Sequence, residues 1–417
     1  MEAVARDISD HGGGIVTEAG FGVYVHWPFC RSLCPYCDFN VRLMRSVDPG
    51  LWRDAYLADI RHHASRLPGR RVDSIYFGGG TPSLMDPAIV DAVIAGIAAA
   101  WSVDSRTEIS LEANPTSVEA GRFAEFAAAG VNRISIGVQS LRDADLKRLG
   151  RRHTAAMARD AVDTARKHVP AVNIDLIYAR PNQTVTAWES ELREALALGA
   201  DHLSLYQLTI KPGTRFGDLA DRGRLPGLPG EALEAALYEA TGTLAAASGY
   251  PAYEISSHAR PGSECTHNLV YWRYGEFAGI GPGADGRIVL SDGVHPTTAI
   301  RDPGHWLDAV RTTGSGTRSL GPLTPDSLAD EYLIASLRLA EGSEIDRLRA
   351  FLCGDSGLHP EQHRDRRFGR LSRAVDELVA AGFLERGGPR IAATAAGRLV
   401  LDSVLRELCA PRPADRP

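Results

Sequence analysis

Six short apolar runs, separated by longer helix-like segments, govern what this chain can fold into. Val23–His26, Ser74–Phe77, Thr107–Glu112, Arg133–Val138, Val172–Tyr178 and Leu203–Leu208 are rich in β-branched or aromatic residues. Between them lie Ala- and charge-rich stretches such as Leu51–Arg66, Pro87–Ala100, Val118–Ala129 and Ala155–His168. Strands alternating with helices predict a parallel sheet with the helices outside. Six such units make an open, partial (β/α)6 barrel, so the fold class expected is α/β. Ligands in such sheets gather at the carboxyl ends of the strands. Three strands carry a polar residue in an otherwise apolar run: Glu112, Gln139 and Asp175. Burying such a side chain without partners is costly. One alone would be as readily structural as functional, but three at equivalent places favour a shared polar ligand.

The stretch after the first strand carries Cys30, Cys34 and Cys37 with the spacing C-x3-C-x2-C. Three close thiolates suit one iron–sulfur cube, which normally takes four protein ligands. The fourth iron is then open to a small chelating molecule, and S-adenosylmethionine offers an amine and a carboxylate. Reduction by the cluster can split its sulfonium and release a carbon radical, chemistry that belongs to the cofactor and that a protein positions. Phe77-Gly-Gly-Gly-Thr-Pro-Ser83 directly follows the second strand, and its glycines allow a ligand close to the backbone. The amides and carbonyls of Gly79, Gly80 and Thr81 can hold the ligand's amino group, although a tight strand–helix connection is the plain alternative. Arg151, in Leu149-Gly-Arg-Arg-His153, can meet its carboxylate through the planar guanidinium, with Arg152 a close competitor. A zinc site could use the same three cysteines and His26, but structural zinc motifs usually come as two separated pairs. A disulfide framework is disfavoured by six cysteines in 417 residues. Cys265, Cys353 and Cys409 stand alone and read as free, partly buried thiols.

The chain divides into a loose tail (1–20), a barrel core (21–255), an irregular Gly- and Pro-rich connecting α+β region (256–325), a C-terminal helical domain (326–409) and a second tail (410–417). The C-terminal part resembles a winged helix, with a helix through Leu371–Ala381, a Gly387-Gly388 turn between short strands and a Thr394-capped helix. Such a unit binds DNA, or serves as a structural or substrate-covering lid. A net charge of −6 and no dense basic face argue against nucleic acid as a partner. The run Ala88–Trp101 is broken by Asp91 and too short to span a bilayer. Sparse cysteines, an oxygen-sensitive cluster and a tail unlike a targeting segment predict a cytoplasmic protein.

The cysteine triplet, GGGTPS, LEANPT, VQS, LGRRH, DLIY, SLYQLTI, YEIS, HNLVYW and a GIGPGA turn occur together and in order. Over residues 21–405 the chain resembles the radical S-adenosylmethionine group that holds the oxygen-independent coproporphyrinogen dehydrogenases and the HemW heme chaperones, and it is nearer the chaperones. The resemblance implies a radical SAM barrel with a [4Fe–4S] cluster on Cys30, Cys34 and Cys37. It implies S-adenosylmethionine contacts from Tyr24, Gly79, Gly80, Thr81, Glu112, Gln139, Arg151 and Asp175, and heme binding through His267 of HNLVYW. The partners implied are heme and heme-accepting apo-proteins, including a membrane-associated acceptor, and a second copy of the chain in a homodimer. Departures from the pattern are Phe39, where the dehydrogenases have a further cysteine, Ala179-Arg-Pro-Asn-Gln183 in place of Gly-Leu-Pro-Gly-Gln, and Asp285 where a histidine usually stands. Heme delivery to acceptor proteins, with the cluster and S-adenosylmethionine in support, is the function expected, and radical chemistry on a porphyrinogen or another substrate is the alternative.

Overall fold

All six anticipated runs form strands, and they lie side by side in sequence order. In the computed structural model, which describes residues 13–44, 46–353 and 361–409, they are β1 (Phe21–Trp27), β2 (Ser74–Gly79), β3 (Glu108–Ala113), β4 (Arg133–Gln139), β5 (Ala171–Tyr178) and β6 (His202–Gln207). Each neighbouring pair is parallel. The connecting helices include α1 (Pro49–Arg66), α2 (Pro87–Ala100), α3 (Phe123–Ala128), α4 (Ala155–His168), α5 (Val185–Leu196) and α6 (Glu231–Ala247). Their starts are written in the sequence. Asp48 and Asp86 each cap a helix that has proline in its first turn, while Thr154 and Thr184 accept from the amides of Met157 and Ala187.

Strand alternation divides the side chains between two faces. Val23, Val25, Ile75, Phe77, Leu111, Ile134, Ile136, Ile174 and Leu203 face the helices and form one continuous core with Ile60, Val93, Phe126, Val162 and Trp188. Each such side chain contributes about 1.5–3 kcal/mol relative to exposure. The opposite face, which lines the barrel, carries Tyr24, Tyr76, Glu112, Ser135, Asp175, Ser204 and Tyr206. Barrels of the closed eight-stranded kind fill this space with branched apolar residues. Here Tyr206 keeps 46% of its surface exposed, so the interior is a chamber.

The sheet extends beyond the six strands. β7 (Ser257–Ala259) pairs antiparallel with β6. On the other side β8 (Glu276–Ile280) lies parallel to β1, followed by antiparallel β9 (Asp285–Leu290), β10 (Gly293–Ala299) and β11 (Thr317–Ser319). The result is one eleven-stranded sheet of order β11-β10-β9-β8-β1-β2-β3-β4-β5-β6-β7. The region expected to be irregular is thus partly a continuation of the barrel sheet. Arg70 fixes this junction, with Nε 2.6 Å and Nη2 3.3 Å from the fully buried Glu276 carboxylate. Between β7 and β8 the HNLVYW segment forms a short helix, α7 (Thr266–Trp272), and α8 (Pro303–Thr313) follows β10.

Helices α9 (Pro325–Ser336), α10 (Ile345–Cys353), α11 (Glu361–Ala380) and α12 (Leu401–Leu408) surround a three-stranded sheet, Ser343–Glu344, Arg390–Ala393 and Leu384–Gly387. They share a second core around Leu333, Phe351, Leu371, Ile391 and Val404. The tail expected over residues 1–20 is corrected at its end. Gly13–Glu18 is helical and buries Val16 completely in that second core, because one valine beside β9 and β10 gains more from apolar contact than a coil does from solvent. The rest of that tail through residue 12, the tail from 410 and the Cys353 side chain lie outside the described residues.

Candidate functional site

At the carboxyl ends of β2 to β6 a cavity of about 340 Å³ opens between the strands and the cysteine loop. Cys30, Cys34, Cys37, Gly79, Gly80, Thr81, Glu112, Gln139, Arg151 and Asp175 all line it. These are the three expected cluster ligands and seven of the eight expected S-adenosylmethionine contacts. Tyr24 is the eighth, and it stands outside this lining with its hydroxyl 3.0 Å from His26 Nδ1.

Glycines set the shape. Gly79 has φ +110°, and a Cβ there would lie 2.5 Å from the His26 ring. A Cβ on Gly80 would lie 2.7 Å from the Phe29 carbonyl oxygen, so the GGGTPS turn packs backbone on backbone against the cysteine loop. Gln139 takes φ +64° at a break in the β4–β5 register. A non-glycine residue in this region is strained, and such strain clusters at functional sites; here it aims Gln139 into the cavity.

The polar side chains form one network. Glu112 accepts from the Tyr76 hydroxyl at 2.9 Å and the Gly79 amide at 3.2 Å. Burial, then the nearby Asp175 carboxylate, pushes its pKa up to about 7. Burial also raises Asp175, against donors on Asn173, Ser204 and Ser135. Arg151 reaches Asn114 Oδ1 at 2.5 Å, the Gly137 carbonyl at 3.0 Å and Cys34 Sγ at 3.5 Å. Arg152 is exposed at the mouth, so Arg151 is the arginine built into the site. Thr81 Oγ1 lies 3.5 Å from Cys30 Sγ. Burial pushes the Cys30 thiol up to about 11 and raises Cys37; without a metal these groups stay protonated, and iron ligation would reverse this.

The donor set fits an iron–sulfur cube. Among the described residues no three His, Cys, Asp or Glu side chains converge on a single ion. The three thiols all line one cavity, and a cube would take one of them on each of three irons. His26, the fourth zinc ligand considered from sequence, is committed elsewhere: it is 4% exposed, with Nδ1 on Tyr24 and Nε2 3.0 Å from the Asn40 carbonyl. The set also fits S-adenosylmethionine, with acceptors on Glu112 and Asp175 for cationic groups and Arg151 for a carboxylate.

His267 lies away from this cavity, at the amino ends of β1 and β2. It is 3% exposed, Nδ1 is 2.8 Å from Ser74 Oγ, and its ring stacks on Tyr76 at 4.8 Å. Among the described residues Nε2 has no partner, and burial lowers the pKa to about 3. Tyr271 packs edge-on to this ring. Asp285 opens β9 and is exposed.

Several site residues were not singled out from sequence. Asn114 bridges Thr81 and Arg151, and its place two residues after Glu112 was the available signal. Tyr206 follows from alternation with His202 and Ser204. Gly137 and Gly150 gave no signal, since their role is to make room for Gln139, Arg151 and Pro35.

The Radical SAM superfamily profile matches residues 24–195. Mouse "Radical S-adenosyl methionine domain-containing protein 1, mitochondrial" is 40% identical over 392 residues, covering 93% of this chain and 86% of that protein. This chain belongs to the radical SAM superfamily. As a radical SAM protein it is also 36% identical to the Escherichia coli "Heme chaperone HemW", over 92% of this chain and 96% of that protein. The structure of E. coli coproporphyrinogen III oxidase (HemN) superposes with a TM-score of 0.76 over 98% of this chain and 93% of that one, at 22% identity. That likeness shows a shared fold. The expectation of a cytoplasmic location is corrected. The mouse, bovine and zebrafish relatives, 35–40% identical, are named mitochondrial, so cluster chemistry and sparse cysteines do not single out the cytoplasm.

Proposed function

We propose that this protein binds a [4Fe–4S] cluster on Cys30, Cys34 and Cys37 and S-adenosylmethionine beside it, and acts as a radical SAM enzyme on a substrate held in the barrel. The observation that carries this is the convergence of three thiols, the Gly79–Thr81 turn, Glu112, Gln139, Arg151 and Asp175 on one cavity. Cys30, Cys34 and Cys37 would hold the cluster, which would supply one-electron reduction of the ligand's sulfonium and so carbon-radical chemistry. The protein's part is to hold and shield. Glu112 and Asp175 orient the cationic ligand, Arg151 ties the Cys34 thiol to Asn114 and Gly137, and Tyr36 with Phe216 covers one side of the loop. A tetrapyrrole precursor is the substrate class the family resemblance implies, and the half-exposed Tyr206 gives the cavity flat apolar surface for it.

A second function, heme carriage, is favoured by full-length similarity to proteins named heme chaperones. It would require α7 to move, because His267 is sealed. Anaerobic reconstitution separates the two. Formation of 5′-deoxyadenosine with turnover of coproporphyrinogen supports the enzyme. Stoichiometric heme uptake, lost in His267→Ala and without turnover, supports carriage. Zinc with no sulfide would exclude the enzyme.

A further inference from the structure

Asp175 ends a file of hydrogen bonds that crosses the barrel from the cavity to its sealed end. Asn173, two residues earlier on the same face of β5, donates from Nδ2 to Asp175 Oδ1 at 2.7 Å. Its Oδ1 lies 2.6 Å from His202 Nδ1, and His202 Nε2 lies 2.8 Å from the Tyr253 hydroxyl. Asn268 Nδ2 donates to that hydroxyl at 3.2 Å, and Asn268 belongs to α7. The orientation of Asn173 fixes every donor after it. Asn173 Nδ2 donates to Asp175 and also to Ser135 Oγ at 2.7 Å, and its Oδ1 accepts from Ser204 Oγ at 3.2 Å, so its oxygen faces His202. His202 then carries its proton on Nδ1 and accepts at Nε2 from Tyr253, whose oxygen is left to accept from Asn268.

A second route runs parallel. Glu112 accepts from Tyr76, and the Tyr76 ring stacks on His267. Glu112 and Asp175 therefore connect to consecutive residues of one short helix at the other end of the barrel. That helix is held by one acid: Glu108 accepts the amides of Thr266 and His267 at 3.0 and 3.2 Å, and Cys265 Sγ lies 3.3 Å from it.

We propose that His202 is a positioning residue that orients Asp175 through Asn173, and that this file makes the docking of α7 depend on S-adenosylmethionine at the far end of the barrel. The proposal rests on the assignment of Asp175 as a ligand contact. A buried polar file left with one member unpaired is unfavourable as a whole. Releasing α7 therefore loosens Asp175, and engaging Asp175 holds α7; the two effects must be equal in free energy.

Cys265 reports on the helix, because it is 4% exposed at the start of α7. The anaerobic holoprotein is treated with iodoacetamide with and without saturating S-adenosylmethionine, and alkylation of Cys265 is read by peptide mass spectrometry. The ligand should slow alkylation about tenfold, within the usual range of coupling between sites. His202→Ala should remove that dependence and weaken ligand binding, followed by the cluster's EPR signal, by a similar factor. His202→Asn places an amide nitrogen where Nδ1–H stood and should restore binding; His202→Gln, with its nitrogen at the Nε2 position, should not. Asp175→Ala should speed Cys265 alkylation with no ligand present. Equal rescue by Asn and Gln, or a Cys265 rate indifferent to both ligand and Asp175→Ala, would overturn the proposal. A wild-type EPR signal unmoved by S-adenosylmethionine would instead remove the ligand assignment, while the Asp175→Ala arm still decides the relay.

Discussion

Gly137 has a Cβ position 3.0 Å from Gln139 Nε2 and 3.2 Å from Arg151 Nη2. Gly137→Ala should therefore displace two contacts while leaving the outward core untouched. Affinity for S-adenosylmethionine is expected to fall about tenfold, or about 1.4 kcal/mol, with the thermal midpoint unchanged; calorimetric titration of the reconstituted protein checks both. Glu112 gives a second prediction. Its pKa is raised to about 7, so part of the population is neutral near pH 7. A cationic ligand favours the carboxylate, so affinity should rise as pH rises through about 7, and Glu112→Gln should flatten that dependence. At this scale the sequence exposes residues whose type is odd for their surroundings, such as Glu112, Gln139 and Asp175. It conceals residues whose value is an absence. Gly137 and Gly150 look like any turn glycine, and the φ of +64° at Gln139 has no signature in side-chain chemistry.

Among the elements, the turn after β5 explains one departure from the family pattern. Ala179 and Asn182 stand where glycine is usual, and both still take left-handed φ values of 57° and 63°. The turn keeps its shape because Arg180, in place of leucine, is buried against Glu191 and the Ile177 carbonyl. Arg180→Leu would leave Glu191 buried beside Ser140 and Leu141 without its cation. A loss of about 3 kcal/mol is expected in chemical denaturation, and a smaller loss would mean that water reaches the carboxylate. Helix α1 holds the opposite case. His63 is fully buried, and among the described residues neither ring nitrogen has a partner. His63→Leu should stabilise the fold by about 1–2 kcal/mol. Elements with strong periodicity and caps were legible, including all six barrel strands. β8 was not, because Glu276–Ile280 is too short to stand out and its partner β1 lies far away in sequence.

For the whole molecule, buried histidines set the response to acid. Burial lowers His63 and His267 to about 3, His153 and His258 to about 4, and His202 well below its usual value. These groups are neutral when folded and titrate near 6.5 when unfolded, so their contribution is complete above pH 6.5 and is lost as pH falls toward 3. Asp59 and Glu112, raised to about 6 and 7, act in the opposite sense. The histidines outnumber them, so stability should fall steadily from pH 6.5 to 4. A flat unfolding midpoint over that range would show that the histidines are hydrated in the native state. The overall architecture was readable because one alternation of strand and helix recurs. The inward face of each strand was partly readable, and the link from β5 to α7 was not, since hydrogen-bond partners from residues 173, 202, 253 and 268 meet only in space.

The cysteine loop has a timetable imposed by where its anchors lie in the chain. Asn40, three residues past Cys37, donates to the carbonyls of Pro282 and Arg301, and β1 gains its second neighbour only when Glu276–Ile280 has been made. A ribosome moving at roughly 5–20 residues per second needs on the order of 10–50 s to travel from the loop to these anchors. Until then the three thiols lie in a loop that follows a strand with one bare edge. If the proposed cluster forms here, insertion of iron and sulfide into the finished geometry would follow synthesis of the chain's second half.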